Sequence, residues 1–179
     1  MELPEITRRV FLSRSLRTLG ALATLPLVAP ACSKAPSTPV PTDLHVFTSG
    51  EYEILSAVAD TLVPRGGAFP LGASDVGLAA RIDLFLARQD PAIVKGLRGA
   101  LLILEYGGGA MAGRIGRFSR MGAEGRAAVF SALPHRFGIA RQIYVGLKQL
   151  CLFLFYSVDE SWALIGYDGP WVGRKDPVR

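Results

Sequence analysis

The sequence predicts an all-α fold: a single compact helical domain of about five to six helices after an N-terminal signal and a Pro-rich linker. Three observations carry that expectation. Apolar residues recur at i, i+3 and i+4 in five separate stretches after residue 44, the stripe of a helix with one buried face. Two stretches, Thr48-Ser49-Gly50-Glu51 and Ser157-Val158-Asp159-Glu160, have the spacing of a helix capping box. No run alternates apolar and polar residues with the period of two that a half-buried strand needs.

Residues 1–31 read as a signal rather than as part of the domain. Thr7-Arg8-Arg9-Val10-Phe11-Leu12 sets two arginines, a spacer and Phe-Leu ahead of a mildly apolar run, Leu19 to Ala31. A basic start, a short apolar middle and a small-residue end, Ala29-Pro30-Ala31-Cys32, are the anatomy of an export signal. The apolar part is shorter than the ~20 residues a membrane-spanning helix needs. Arg8 and Arg9 before Phe11 and Leu12 make the segment resemble a twin-arginine signal, which implies export of an already folded protein to the periplasm through the twin-arginine translocase. The plainer alternative is an ordinary secretory signal with a chance Arg-Arg. Ala29 and Ala31 satisfy an A-x-A cleavage pattern, while Cys32 at the next position approaches a lipoprotein box, with Ala29 where that box usually has Leu. Lipidation of Cys32 is the expectation adopted.

Residues 32–43 form the linker: prolines 36, 39 and 41 among small polar residues favour extended chain. The domain proper, residues 44–179, begins with a lead-in at Val46 and Phe47. The first helix follows Thr48, carries Ile54, Leu55, Val58, Ala59 and Leu62, and stops before Pro64. A second helix is expected from Ser74 or Asp75 to Arg88. A third starts at Asp90-Pro91, an N-cap with proline at the first helical position, and runs to Tyr106. Gly107-Gly108-Gly109 is expected to stop it. A fourth helix spans roughly Ala123 to Leu133, with Pro134 ending it. A fifth runs from near Phe137 to Tyr156; its second half, Leu150 to Tyr156, is apolar all round, the pattern of a central helix buried on every side. Ser157 and Glu160 are expected to cap a short last helix.

The 148 residues after residue 31 carry 16 basic and 13 acidic side chains. That balance is too mild to imply nucleic acid, and no run of Lys and Arg makes a phosphate-binding stripe. Half the chain is hydrophobic, so the surplus either enlarges the core or covers one face that meets a partner. His45 and His135 have no second ligand at helical spacing, and the two cysteines, Cys32 and Cys151, cannot hold an iron–sulfur cluster. Cys151, in an apolar stretch, reads as a buried unpaired thiol. Glycines 107–109, 113 and 116 follow no strand and precede no Lys-Ser/Thr, so the mechanics of a phosphate loop are missing. Glu51, Asp60 and Glu124 have ordinary roles open to them as caps, solvated charges or ion pairs. Asp83 and Glu105 interrupt apolar helices; the structural expectation for them is a partner arginine such as Arg81, Arg88 or Arg141.

The order of motifs resembles the small subunit, subunit 3, of the membrane-bound gluconate 2-dehydrogenase family. The motifs are E-Y-E-I-L-S-A-V-A-D-T-L-V-P (Glu51 to Pro64), F-S-R-M-G-A-E-G-R-A-A-V-F (Phe118 to Phe130), and L-K-Q-L (Leu147 to Leu150) leading through Tyr156 and Trp162 to I-G-Y-D-G-P (Ile165 to Pro170). The resemblance implies an α-helical accessory subunit with no catalytic, cofactor-binding or metal-binding residues of its own. Its implied partner is a large FAD-dependent flavoprotein of the glucose–methanol–choline type, with a multihaem cytochrome c as a frequent third subunit. FAD would sit in the flavoprotein, which lacks a signal and is carried out on the small subunit. The Gly107–Gly116 segment and the short Arg65–Gly72 loop depart from the family pattern and leave the partner's substrate open. Two other readings are a lipid-anchored periplasmic protein that binds a small molecule in an internal pocket, and a small enzyme in its own right.

Overall fold

The computed structural model describes residues 39–66, 69–136 and 138–170. They form six α-helices and three short 3₁₀ turns, with no strand among the described residues, as the helical periodicity predicts. The helices are α1 (Ser49–Leu62), α2 (Leu78–Leu86), α3 (Pro91–Met111), α4 (Ala123–Ala132), α5 (Ile139–Phe155) and α6 (Asp159–Trp162). The 3₁₀ turns are Phe118–Arg120, Leu133–His135 and Ala163–Ile165. The export and lipidation residues Arg8, Arg9, Phe11, Leu12, Ala29, Ala31 and Cys32 lie outside the described residues.

The capping box at the start of α1 is formed in both directions. The Glu51 amide donates to Thr48 Oγ1 at 3.4 Å, and the Thr48 amide donates to Glu51 Oε2 at 2.9 Å. Two of the four orphan amides of the helix start are thereby satisfied locally. Val63, ahead of Pro64, leaves the helical region at φ −128° and ψ 72°.

α1 is the central element, packing against α2, α3, α4, α5 and the Phe118–Arg120 turn. Every residue from Ile54 to Ala59 is buried, so the helix is enclosed around its whole circumference there. This corrects the expectation that the second half of α5 is the fully enclosed helix. In α5, Phe153 is 62% exposed while Leu147, Cys151 and Phe155 face inward. The small side chains Ser56, Ala57 and Ala59 let neighbouring helices close on α1 from several sides, whereas Phe153 and the polar Lys148 and Gln149 leave α5 a solvent face.

Three element boundaries also differ from expectation. α2 begins at Leu78, not at Ser74 or Asp75, because both side chains are engaged in a turn: Asp75 accepts from the Gly72 amide at 2.8 Å and pairs with Arg65, and Ser74 donates to Asp60. Gly77 then takes a left-handed conformation, φ 61°, before the helix starts. Short polar side chains that bond nearby backbone compete with helix in this way.

α3 runs through Gly107-Gly108-Gly109 to Met111 instead of stopping at them. A Cβ on Gly108 would lie 3.1 Å from both Leu104 and Val129, and one on Gly109 would lie 2.8 Å from the Arg114 carbonyl and 2.9 Å from that of Gly116. Gly109 is therefore a point of close backbone approach and Gly108 one of close side-chain packing, and the chain turns only beyond them, at Gly113 (φ 67°). The third difference is at α6, whose cap residue is Val158 with no side-chain bond. The Ser157 hydroxyl instead donates back to the Phe153 carbonyl at 2.6 Å, so the Ser157–Glu160 box is not made.

Candidate functional site

The buried carboxylates Glu51, Asp83 and Glu105 are committed to holding the fold together. Asp83, 2% exposed on α2, takes its bonds from the lead-in: the Val46 and Phe47 amides donate to Oδ1, each at 3.0 Å, and the His45 amide donates to Oδ2 at 2.6 Å. His45 Nδ1 lies 3.3 Å from Oδ2. Burial pushes the Asp83 carboxyl up, but the amides of His45, Phe47 and Val46 outweigh it and hold the group below the usual aspartate range. Glu105, 4% exposed on α3, accepts from the Ser119 amide at 2.9 Å and from the Ser119 hydroxyl at 2.8 Å, tying the Phe118–Arg120 turn to the helix. The expectation of a partner arginine thus fails for both residues. Backbone amides presented by a loop satisfy these carboxylates as well as a cation would, without burying a second charge. Arg81 instead donates to the Val76 carbonyl and lies 3.7 Å from Glu160.

Glu51 has a second role that its capping position conceals. Its Oε1 accepts from Arg98 Nε at 2.7 Å, which joins α1 to α3. Burial pushes this carboxyl up, and the bonds to Arg98 and Thr48 together bring it below its ordinary value. Asp60 accepts from Ser74, and Glu124 lies 3.8 Å from Arg114.

The thiol of Cys151 is fully buried and free. Burial pushes its pKa up to about 12, so it packs as a small hydrophobe. His135 sits in the second 3₁₀ turn, and His45 stands beside Asp83 with half its side chain exposed. Among the described residues no group of three or more His, Cys, Asp or Glu is placed to hold a metal ion.

An open groove of about 520 Å³ runs along α5, lined by Gly138, Arg141, Gln142, Val145, Gly146 and Gln149. These residues follow one face of a single helix, so the groove offers one wall rather than the enclosure in which small ligands bury most of their surface. The apolar surplus in the composition divides between core and surface. The core is continuous from Phe47 to Val158. Outside it, Ile93 and Tyr106 on α3 and Ile139 and Phe153 on α5 are each more than half exposed. Among the described residues, no helix is long and apolar enough to cross a membrane.

What sequence reasoning missed is the joining role of these carboxylates. Asp83 meets its amides 36 to 38 residues away, and Glu105 meets Ser119 across 14 residues. The one available signal was a charged residue on an otherwise apolar face, which marks a buried partner without identifying it. Comparison of the chain with protein-family models, with curated proteins and with solved structures gives no match.

Proposed function

We propose that this chain is the non-catalytic small subunit of a periplasmic FAD-dependent dehydrogenase of the glucose–methanol–choline type, similar to gluconate 2-dehydrogenase subunit 3. It carries the twin-arginine signal for the complex and covers apolar surface on the flavoprotein. The observation that carries this reading is the Arg8-Arg9-x-Phe11-Leu12 pattern ahead of the ordered motif set from Glu51 to Pro170. Two features support it. The buried carboxylates Asp83 and Glu105 are occupied by the fold's own amides and a serine hydroxyl, and large apolar side chains on α3 and α5 stand in solvent, where a partner would cover them. FAD is assigned to the partner subunit, and a multihaem cytochrome c is the proposed further partner.

The test is replacement of Arg8 and Arg9 by lysine, with the flavoprotein followed by flavin absorbance in cell fractions. Both the chain and the flavoprotein are expected to stay in the cytoplasm. A flavoprotein that still reaches the periplasm with the variant rejects the carrier role.

The same reading places an acyl anchor at Cys32, which would hold the subunit at a membrane firmly, since two or more chains suffice where one does not. The intact mass of the mature chain is expected to exceed that of residues 32–179 by the added acyl groups. A mass equal to the bare residues removes the anchor.

A further inference from the structure

Charge is unevenly placed on this domain. Residues 105–150 hold six arginines and one lysine against two glutamates, and one of these, Glu105, is buried against Ser119. The other described residues hold five basic side chains against ten acidic ones. No local run of Lys and Arg announces this. The fold gathers four of the arginines, Arg114, Arg117, Arg120 and Arg136, around the C-terminal end of α3, where the stretch's one exposed glutamate, Glu124, lies 3.8 Å from Arg114. Arg136 Nη2 donates to the Met111 carbonyl at 2.7 Å, Arg117 lies 5.3 Å from the centre of the Tyr106 ring, and Arg120 sits in the turn packed on α3.

From that basic ground a loop projects. Gly113, Arg114, Ile115, Gly116 and Arg117 are exposed in succession, and Ile115 is 104% exposed, as open as an isolated residue. The loop is held in shape. The Arg114 amide donates to the Gly109 carbonyl at 2.7 Å, and the Arg114 and Gly116 carbonyls close on Gly109 where no side chain would fit. A fixed loop that offers a branched aliphatic tip between two arginines, with Tyr106 64% exposed beside it, combines the groups that settle at a lipid–water boundary. There the aliphatic tip enters the acyl edge, the aromatic ring lies at headgroup level, and the guanidinium groups meet phosphate.

We infer that the Ala112–Arg120 loop is a docking face for a bilayer bearing anionic phospholipid. A flat, fluid anionic surface accepts a projecting tip ringed by cations without needing a matching pocket, which an acidic protein partner would have to supply. The inference stands on the charge distribution and the loop geometry, and it needs neither an acyl chain on Cys32 nor the subunit reading. Each arginine near such a surface contributes about fivefold in binding, and the attraction is screened by salt.

The test uses the full chain with Cys32→Ser, so that no acyl chain contributes, and measures co-sedimentation with vesicles. Phosphatidylcholine vesicles are compared with vesicles that contain about a third phosphatidylglycerol. The chain is expected to bind the anionic vesicles, to leave them as salt rises, and to ignore the neutral ones. The variant Arg114→Gln/Arg117→Gln/Arg120→Gln is expected to bind about a hundredfold more weakly. All three side chains are exposed, so its helical circular dichroism and unfolding midpoint should match those of the parent. Ile115→Ser, with charge unchanged, is expected to weaken binding several-fold. Ile115→Trp should show a blue shift in tryptophan emission on anionic vesicles beyond that of the parent chain. The signal segment is common to every variant, so the differences report the loop alone. Equal binding by the triple variant and the parent, equal binding to both vesicle types, or no binding by the parent overturns the inference. So does retained vesicle binding by the triple variant with loss of an acidic protein that co-purifies with the parent, which would make the face a protein interface.

Discussion

Asp83→Ala is expected to destabilise the domain by about 3–5 kcal/mol, a large part of the 5–15 kcal/mol by which a typical domain is stable. The substitution leaves the amides of His45, Val46 and Phe47 without their acceptor. It also frees the lead-in that carries Phe47, which is 4% exposed in the core. Asp83→Asn separates the contributions. Its remaining carbonyl oxygen can keep the Val46 and Phe47 bonds, while its amide nitrogen faces the His45 amide donor to donor, so a loss of about 1–2 kcal/mol is expected. Urea denaturation of the parent and both variants checks the order; equal losses for alanine and asparagine would show that the negative charge and the His45 bond, not the Val46 and Phe47 bonds or side-chain volume, hold the lead-in.

The pH dependence has a definite sign. Burial raises the Asp83 carboxyl, but the three amides lower it further, so the folded value lies below the unfolded one. Stability from this group is complete above the ordinary aspartate value of about 4 and is lost as pH falls through the folded value. Glu51, lowered on balance by Arg98 and Thr48 against its burial, acts in the same acidic window. The Asp83→Asn protein should therefore lose less stability than the parent on acidification below about pH 4. Parallel curves would mean that Asp83 titrates alike in the folded and unfolded chain.

The parts of this fold that were legible in the sequence are those whose partners are close along the chain. Thr48 and Glu51 cap each other across three residues, and Asp90 caps the Ala92 amide with Pro91 between them. Such pairs need only local geometry. The same spacing misled at Ser157, because a hydroxyl at that position could reach back to the Phe153 carbonyl just as easily. Asp83 and Glu105 stood out as charges on apolar faces, but their acceptor role depends on loops that only the folded chain brings to them. The central place of α1 was concealed for a related reason. Ala57 and Ala59 are only mildly apolar and Ser56 is polar, and what they contribute is closeness of approach rather than hydrophobicity. Helix α5 has the stronger apolar stripe and yet keeps Phe153 in solvent. The basic ground around the Ala112–Arg120 loop draws on residues as far apart as Arg114 and Arg136, so it shows as a mild excess over a long stretch and not as a local run of Lys and Arg.

Glycine to alanine at two positions of α3 should change stability in opposite directions. Helix propensity alone favours alanine by about 1 kcal/mol at each. At Gly96, exposed and with nothing within 4 Å of an added Cβ, that preference should appear as a gain of about 0.5–1 kcal/mol. At Gly109 the added Cβ would lie 2.8 Å from the Arg114 carbonyl oxygen, 2.9 Å from that of Gly116 and 2.8 Å from the Met121 methyl. The methionine can swing aside, being flexible and thinly constrained. The two carbonyls cannot, because the Arg114 amide is itself bonded to the Gly109 carbonyl. The loop must lift as a unit, and overpacking of this kind costs about 2–3 kcal/mol even after the propensity gain. Urea denaturation supplies both numbers, and hydrogen exchange at the Arg114 amide, which loses its acceptor geometry when the loop lifts, locates the damage. A stabilising effect at both positions would mean that the α3 glycine run is a tolerated interruption with no close approach to protect. Opposite signs, with faster exchange confined to the loop in Gly109→Ala, would identify Gly109 as the seat on which the Arg114–Arg117 loop is held.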